Sequence, residues 1–146
     1  MLKIIEKSAG AKDFSQTLTL PFDLRQKARL HVTLDNGDEA GLFLKRGDTL
    51  RGGDILLAET GELIKVVSAD EEVSKIDSND TLLLTRACYH LGNRHVPVEI
   101  HSSYIQYLKD HVLDHMIEQL GLTITHQFAP FEPESGAYSQ AHSHDH

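Results

Sequence analysis

Three of the ten histidines in this 146-residue chain alternate with small or acidic residues at its C-terminus, in Ala141-His142-Ser143-His144-Asp145-His146. Imidazole nitrogen is a ligand suited to borderline divalent ions such as Ni²⁺, Zn²⁺ and Cu²⁺. The chain beyond Pro130 is rich in Pro, Gly, Ser and His, so it reads as a flexible tail. Ordering such a tail around an ion costs conformational entropy, and the expected affinity is moderate. A second pair, His111 and His115, is spaced i, i+4 on one helical flank, with Glu118 one turn further on. The spacing is half of a zinc-protease motif, but that motif places its acid-base Glu directly after the first His, and Val112 stands there. A metal-dependent hydrolase built on His111, His115 and Glu118 is therefore a weak reading. The same flank also fits a plain solvated helix face.

His90 and His95 bracket the end of another helix, in His90-Leu91-Gly92-Asn93-Arg94-His95-Val96-Pro97. His90 suits the negative end of the helix dipole. His95 falls between a helix terminator and a strand, in a tight surface connection, where a ligand role and a bland one are both open. The only cysteine, Cys88, lies on an apolar helix face and reads as core. No glycine-rich phosphate loop and no serine or cysteine nucleophile context is visible.

These residues need elements to hold them. In the first half, Leu18 and Leu20 alternate with Thr17 and Thr19, and Leu30, Val32 and Leu34 with His31 and Thr33, the period of a strand. Asp35-Asn36-Gly37-Asp38 predicts a type I′ hairpin turn returning through Leu42 and Leu44. Turn signals at Lys45–Asp48, Arg51–Asp54 and Glu59–Glu62 complete the pattern of a small all-β sandwich or barrel. No long helix is expected before about residue 78. The polar stretch Ser68–Glu72 is the expected domain boundary. Beyond it come a strand at Val73–Ile76 and a helix capped by Asn79, with Leu83, Leu84, Ala87, Cys88 and Leu91 on one face. Gly92 or Asn93 is expected to end that helix in the left-handed conformation. Strands at Val96–His101 and Ser103–Tyr107 follow. A helix over Asp110–Leu120 turns Val112, Leu113, Met116, Ile117 and Leu120 inward, and a strand over Leu122–Phe128 closes the unit. The order β-α-β-β-α-β is ferredoxin-like, so the fold class is mixed α and β in two domains.

Charge narrows the function classes. With 22 acidic and 14 basic residues, the net charge of -8 suits cations and argues against nucleic acid, which wants a basic footprint. No apolar run approaches the roughly 20 residues of a membrane span. Met1–Lys7 reads as a strand, with neither the h-region nor the cleavage site of a signal peptide. With one cysteine and no internal disulfide, the expected compartment is the cytoplasm.

Four ordered blocks then resemble the UreE family of urease accessory proteins. They are Tyr89–Pro97, Asp110–Leu113, Leu120–Leu122 and Phe131-Glu132-Pro133-Glu134-Ser135-Gly136-Ala137-Tyr138, followed by the His-rich ending. The resemblance implies a β domain over 1–70 like a heat-shock-type peptide-binding module. It also implies a ferredoxin-like metal-binding domain over 71–138, leaving 139–146 as a His-rich tail. It implies no enzyme. The expected protein is a homodimeric metallochaperone that delivers Ni²⁺ to apo-urease in a complex with a GTPase accessory protein. On that resemblance His95 is the key ligand, presented by both subunits to one ion, with His111 an auxiliary ligand. His115, His142, His144 and His146 complete the candidate metal set. Lys109 departs from relatives that carry a histidine there, which puts auxiliary binding in doubt. The alternative is a passive buffer for Ni²⁺, Zn²⁺ or Cu²⁺ with no delivery partner.

Overall fold

The structure is a computed structural model that describes residues 1–136. The chain divides into two compact units, one of Met1–Ala69 that also takes in Ser135, the other of Asp70–Glu134.

The first unit is a six-stranded sheet curled into a nearly closed barrel. Its strands are β1 (Leu2–Lys7), β2 (Gln16–Leu20), β3 (Arg29–Thr33), β4 (Glu39–Phe43), β5 (Ile55–Ala58) and β6 (Leu63–Ser68). They lie in the order β2-β6-β5-β1-β4-β3. Alternate residues such as Leu18, Val32, Leu42, Leu56, Ile64 and Val66 point inward and are fully or almost fully buried. Just past β3, the Asp35 amide donates to the Thr17 carbonyl of β2 at 3.0 Å and draws the two sheet edges together.

The β3–β4 hairpin departs from the expected type I′ turn, which needs two residues at positive φ. Only Gly37 is left-handed (φ 97°), and its amide closes the turn onto the Leu34 carbonyl at 2.8 Å. The Asn36 side chain holds the Asp38 amide at 2.9 Å, and Asp35 accepts the hydroxyls of Thr17 and Thr19. Those side-chain bonds favour the three-residue loop. A single helical turn, α1 (Phe22–Arg25), is the only helix before residue 78.

The second unit runs β7 (Asp70–Asp77), α2 (Thr81–Asn93), β8 (Glu99–Ile100), β9 (Tyr104–Leu108), α3 (His111–Gln119) and β10 (Thr125–Pro130). Its sheet order is β10-β7-β9-β8, with every pairing antiparallel. This is the ferredoxin-like βαββαβ arrangement that the hydrophobic periods predict. The core joins Leu84, Ala87 and Leu91 of α2 and Leu113 and Ile117 of α3 to Ile76, Ile105 and Tyr107 of the sheet. Burying each such Leu or Ile contributes roughly 1.5–3 kcal/mol.

Local boundaries move for identifiable reasons. The cap of α2 is Asp80, not Asn79: its carboxylate accepts the Leu83 amide at 3.1 Å, while Ser78 holds the Asp80 amide. The strand expected over Val96–His101 shrinks to two residues. Val98 is occupied instead by the Glu134 amide, which donates to its carbonyl at 2.7 Å. The last strand starts at Thr125 instead of Leu122 because Gly121, at φ 96°, first turns the chain out of α3. Val112 is 60% exposed, not inward, and Asp114 takes the buried place beside Leu113. The chain past Pro130 is not all tail: Phe131 is fully buried and the Glu132 amide donates to Glu99 at 2.8 Å.

Candidate metal centre

The apolar stripe of α2 fixes where that helix ends. Leu91 is buried, and its carbonyl accepts the amides of both Arg94 and Val96 at 3.1 Å, while the Gly92 carbonyl accepts the His95 amide at 2.9 Å. Two bonds of this kind make a Schellman cap, whose penultimate residue must turn left-handed. That residue is His95, at φ 60°, and no other non-glycine among the described residues has a positive φ. Glycine is the usual occupant; a residue with a Cβ costs roughly 1–2 kcal/mol there. The expectation that Gly92 or Asn93 takes this role is therefore corrected. Both remain helical, and Val96, packed against the core, and Pro97 dictate the turn three residues later.

The strain has a geometric product. It projects an exposed imidazole from the tip of a rigid helix end. Hydrogen bonding then sorts the exposed histidines. His31 is held by Glu39 (2.6 Å), His101 by Glu99 (2.6 Å), His126 by Asp114 (2.7 Å) and His115 by Gln119 (3.1 Å), each through Nε2. Among the described residues, the imidazoles of His95 and His111 make no hydrogen bond, so both ring nitrogens are open to a ligand-exchange partner. His90 is half-buried and set edge-on against Tyr89.

Helix α3 carries the second group. Asp110 caps it by accepting the Leu113 amide at 3.0 Å, and His111 is its first residue, pointing to solvent. His115 is exposed one turn later. Between them, Asp114 is buried and accepts the Tyr107 hydroxyl at 2.5 Å as well as the His126 bond. Ser74 of β7 is paired across the sheet with both Tyr107 and His126, so Asp114 seats α3 on one cross-strand row. Burial opposes the charge on Asp114, but the bonds from Tyr107 and His126 outweigh it and hold the carboxyl below its ordinary value. Burial, reinforced by the same carboxylate, pushes the Tyr107 phenol far up, so it stays a donor. Periodicity passed over this trio. The available signal was an aspartate on the same helical face as Leu113 and Ile117, which demands a buried partner.

Cys88 is half-buried against the core, and burial raises its thiol, in keeping with a packing role. His142, His144 and His146 lie outside the described residues. Among the described residues no three His, Cys, Asp or Glu side chains converge as a ligand set, and the structure brings neither His111 nor His115 together with His95 into one. The imidazoles offered by one chain suit Ni²⁺, Zn²⁺ or Cu²⁺ but leave most of a coordination sphere open.

Residues 71–146 match the family model for the C-terminal domain of the UreE urease accessory protein, and residues 3–69 match its N-terminal domain. The chain belongs to the UreE family. It is 56% identical to the urease accessory protein UreE of Tolumonas auensis over 138 residues, 93% of this chain and 73% of that one. Identity to UreE of Alkalilimnicola ehrlichii is 51%, over 94% of this chain and 85% of the relative. Identity to UreE of Citrobacter koseri is 48%, over 100% and 97%. UreE relatives are named as accessory proteins of urease, so membership ties this chain to urease assembly rather than to turnover of a substrate. No helix among the described residues is long and apolar enough to cross a membrane.

Proposed function

We propose that this UreE-family chain is a metallochaperone that carries Ni²⁺ as cargo and releases it to apo-urease, working with the GTPase accessory protein. The observation that carries the reading is His95: a strained, left-handed residue whose exposed imidazole has no competing hydrogen bond. Two copies related by a twofold axis would present two such imidazoles to one ion. Such a site is open enough to exchange its ion, unlike a closed four-ligand zinc site. On this reading His111 and His115 are auxiliary ligands and His142, His144 and His146 gather further ions. His111, with no intramolecular bond to break, is the stronger of the helix pair. The domains act as a β partner-binding module over 1–70 and a metal-binding domain over 71–138, with a His-rich tail over 139–146. The protein works as a cytoplasmic homodimer.

The test combines calorimetric nickel titration with activation of apo-urease at limiting nickel, for the wild-type protein and His95→Ala. Loss of the tightest site together with loss of activation supports delivery. Retention of the tight site in His95→Ala refutes the assignment. Tight binding without any effect on activation leaves the passive buffer as the correct reading.

A further inference from the structure

The first unit bears a surface that metal handling does not use. Phe43 of β4 is 38% exposed on the outer face of the sheet, beside Ile5, which is 41% exposed. Its ring lies back over Gly41, two residues earlier on the same strand face: a Cβ at Gly41 would stand 2.9 Å from the ring. The glycine is thus required for close approach, although its φ is ordinary. Two cations flank the ring, Lys3 Nζ at 5.8 Å and the Arg29 guanidinium at 5.2 Å from its centre, within cation–π range. Among the described residues neither cation has a carboxylate within ion-pair distance. The nearby carboxylate of Glu39 is already bonded to His31 and Thr33. A depression of about 320 Å³ opens here, lined by Arg29, His31, Gly41 and Phe43 among others.

The strand beside that depression is an open edge. β3 ends the sheet order and pairs only with β4. The Leu44 amide donates to Ala28 and the Leu34 amide to Asp38, so the hydrogen-bonded pairs of this ladder fall at residues 28, 30, 32 and 34. Alternation then turns the N–H and C=O groups of Arg29, His31 and Thr33 away from β4, toward the free side. Natural sheets blunt such edges with bulges, prolines or covering chain. Here the edge strand is regular, with a cation and an aromatic on its outer face. A solvated face guarded by Arg29 is the bland explanation, but it does not account for Gly41 and a half-exposed ring between two unpaired cations.

We propose that the β3 edge and the Phe43 depression form a docking site for an extended acidic segment of a partner protein. The segment adds a strand to β3, lays an apolar side chain against Phe43 and sets a carboxylate against Arg29. Main-chain pairing supplies affinity, and the two unpaired cations select acidic over basic partners. The inference is independent of the nickel reading, since it uses no metal ligand.

The test titrates the full-length protein with short fluorescein-labelled peptides of alternating Glu and Leu, or alternating Lys and Leu. It reads anisotropy and amide NMR shifts. The acidic peptide should bind, with shifts centred on Arg29, His31, Thr33 and Phe43, and the basic one should not. Arg29→Glu should weaken binding roughly tenfold through the charge contact. His31→Pro removes one edge N–H without touching the β4 ladder and should weaken it by a similar factor. Equal binding of both peptides, or shifts elsewhere in the wild type, overturns the proposal without reference to any variant. Loss with Arg29→Glu but full binding by folded His31→Pro also overturns it, because strand pairing is then absent. Displacement of the acidic peptide by an oligothymidylate would overturn it in favour of a nucleic-acid site.

Discussion

The two units of this chain divide its chemistry unequally. Residues 1–69 hold ten acidic and ten basic side chains and a single histidine, His31. Residues 70–134 hold eleven acidic against four basic and six histidines, so almost all of the net charge of -8 sits in the second unit. A field of that sign draws divalent cations toward the unit whose exposed imidazoles can bind them. The neutral unit separates its charges instead, leaving Lys3 and Arg29 unpaired beside Phe43. Averaged over the chain, charge indicates only a cation-attracting protein. Resolved by unit, it marks one half for metal and the other for macromolecular contact.

The sharpest way to break that division is to remove one histidine from each side. His95→Ala should abolish the tightest nickel site, a loss exceeding the roughly 10–100-fold that follows when only a ligand's supporting partner is removed. His31→Ala, on the barrel, should leave nickel binding unchanged. Calorimetry on the two variants decides it. A tight site that survives His95→Ala, or one that depends on His31, would end the assignment of metal to the second unit.

Stability should divide along the same line. Asp114→Ala leaves the Tyr107 hydroxyl buried without its acceptor and frees His126 from α3. Orphaning a buried donor of this kind costs about 1–3 kcal/mol. Thermal unfolding followed by NMR should show the loss in β7, β9, β10 and α3, with the barrel strands unaffected. Because the Asp114 carboxyl titrates lower folded than unfolded, its contribution is complete above the unfolded value of 3.8 and fades as pH falls through and below it. Asn at position 114 should flatten that acid dependence. An unchanged acid profile would mean the trio is not the linkage.

Elements were easier to read from this sequence than contacts. The βαββαβ order follows from hydrophobic periods that the core of Leu84, Ala87, Leu91, Leu113 and Ile117 obeys. The barrel follows from strict alternation and closely spaced turn residues. What periodicity cannot carry is long-range pairing: Asp114 meets His126 and Tyr107 only once the sheet order is known. The His95 conformation was half-legible. Val96-Pro97 required a terminator just before it, but glycine preference drew the assignment to Gly92, whereas burial of Leu91 and packing of Val96 set the turn at His95. His142, His144 and His146 were legible as ligand types alone, since nothing in the sequence orients them.

Removing residues from Ala141 onward sharpens the contrast between held and unheld ligands. The number of nickel ions bound per chain should fall, while the tightest site keeps its affinity, because His95 is placed by a folded helix end. Titration of the truncated protein beside the full chain measures both quantities. Loss of the tight site on truncation would make the tail a primary ligand.

The smallest expected effect separates strain from ligation at one residue. Glycine at position 95 removes the Cβ that disfavours φ 60°, whereas alanine keeps it. His95→Gly should therefore unfold at higher denaturant or temperature than His95→Ala, by about 1 kcal/mol. It should also match or exceed the wild type, although glycine's larger unfolded-state entropy trims the gain. Both variants lose the imidazole and should lose the tight nickel site equally. A more stable protein that no longer binds its ion means the histidine is retained at the expense of the fold. If His95→Gly is less stable than His95→Ala, the imidazole makes contacts that stabilise the folded chain itself. The left-handed cap would then no longer be evidence for a metal site.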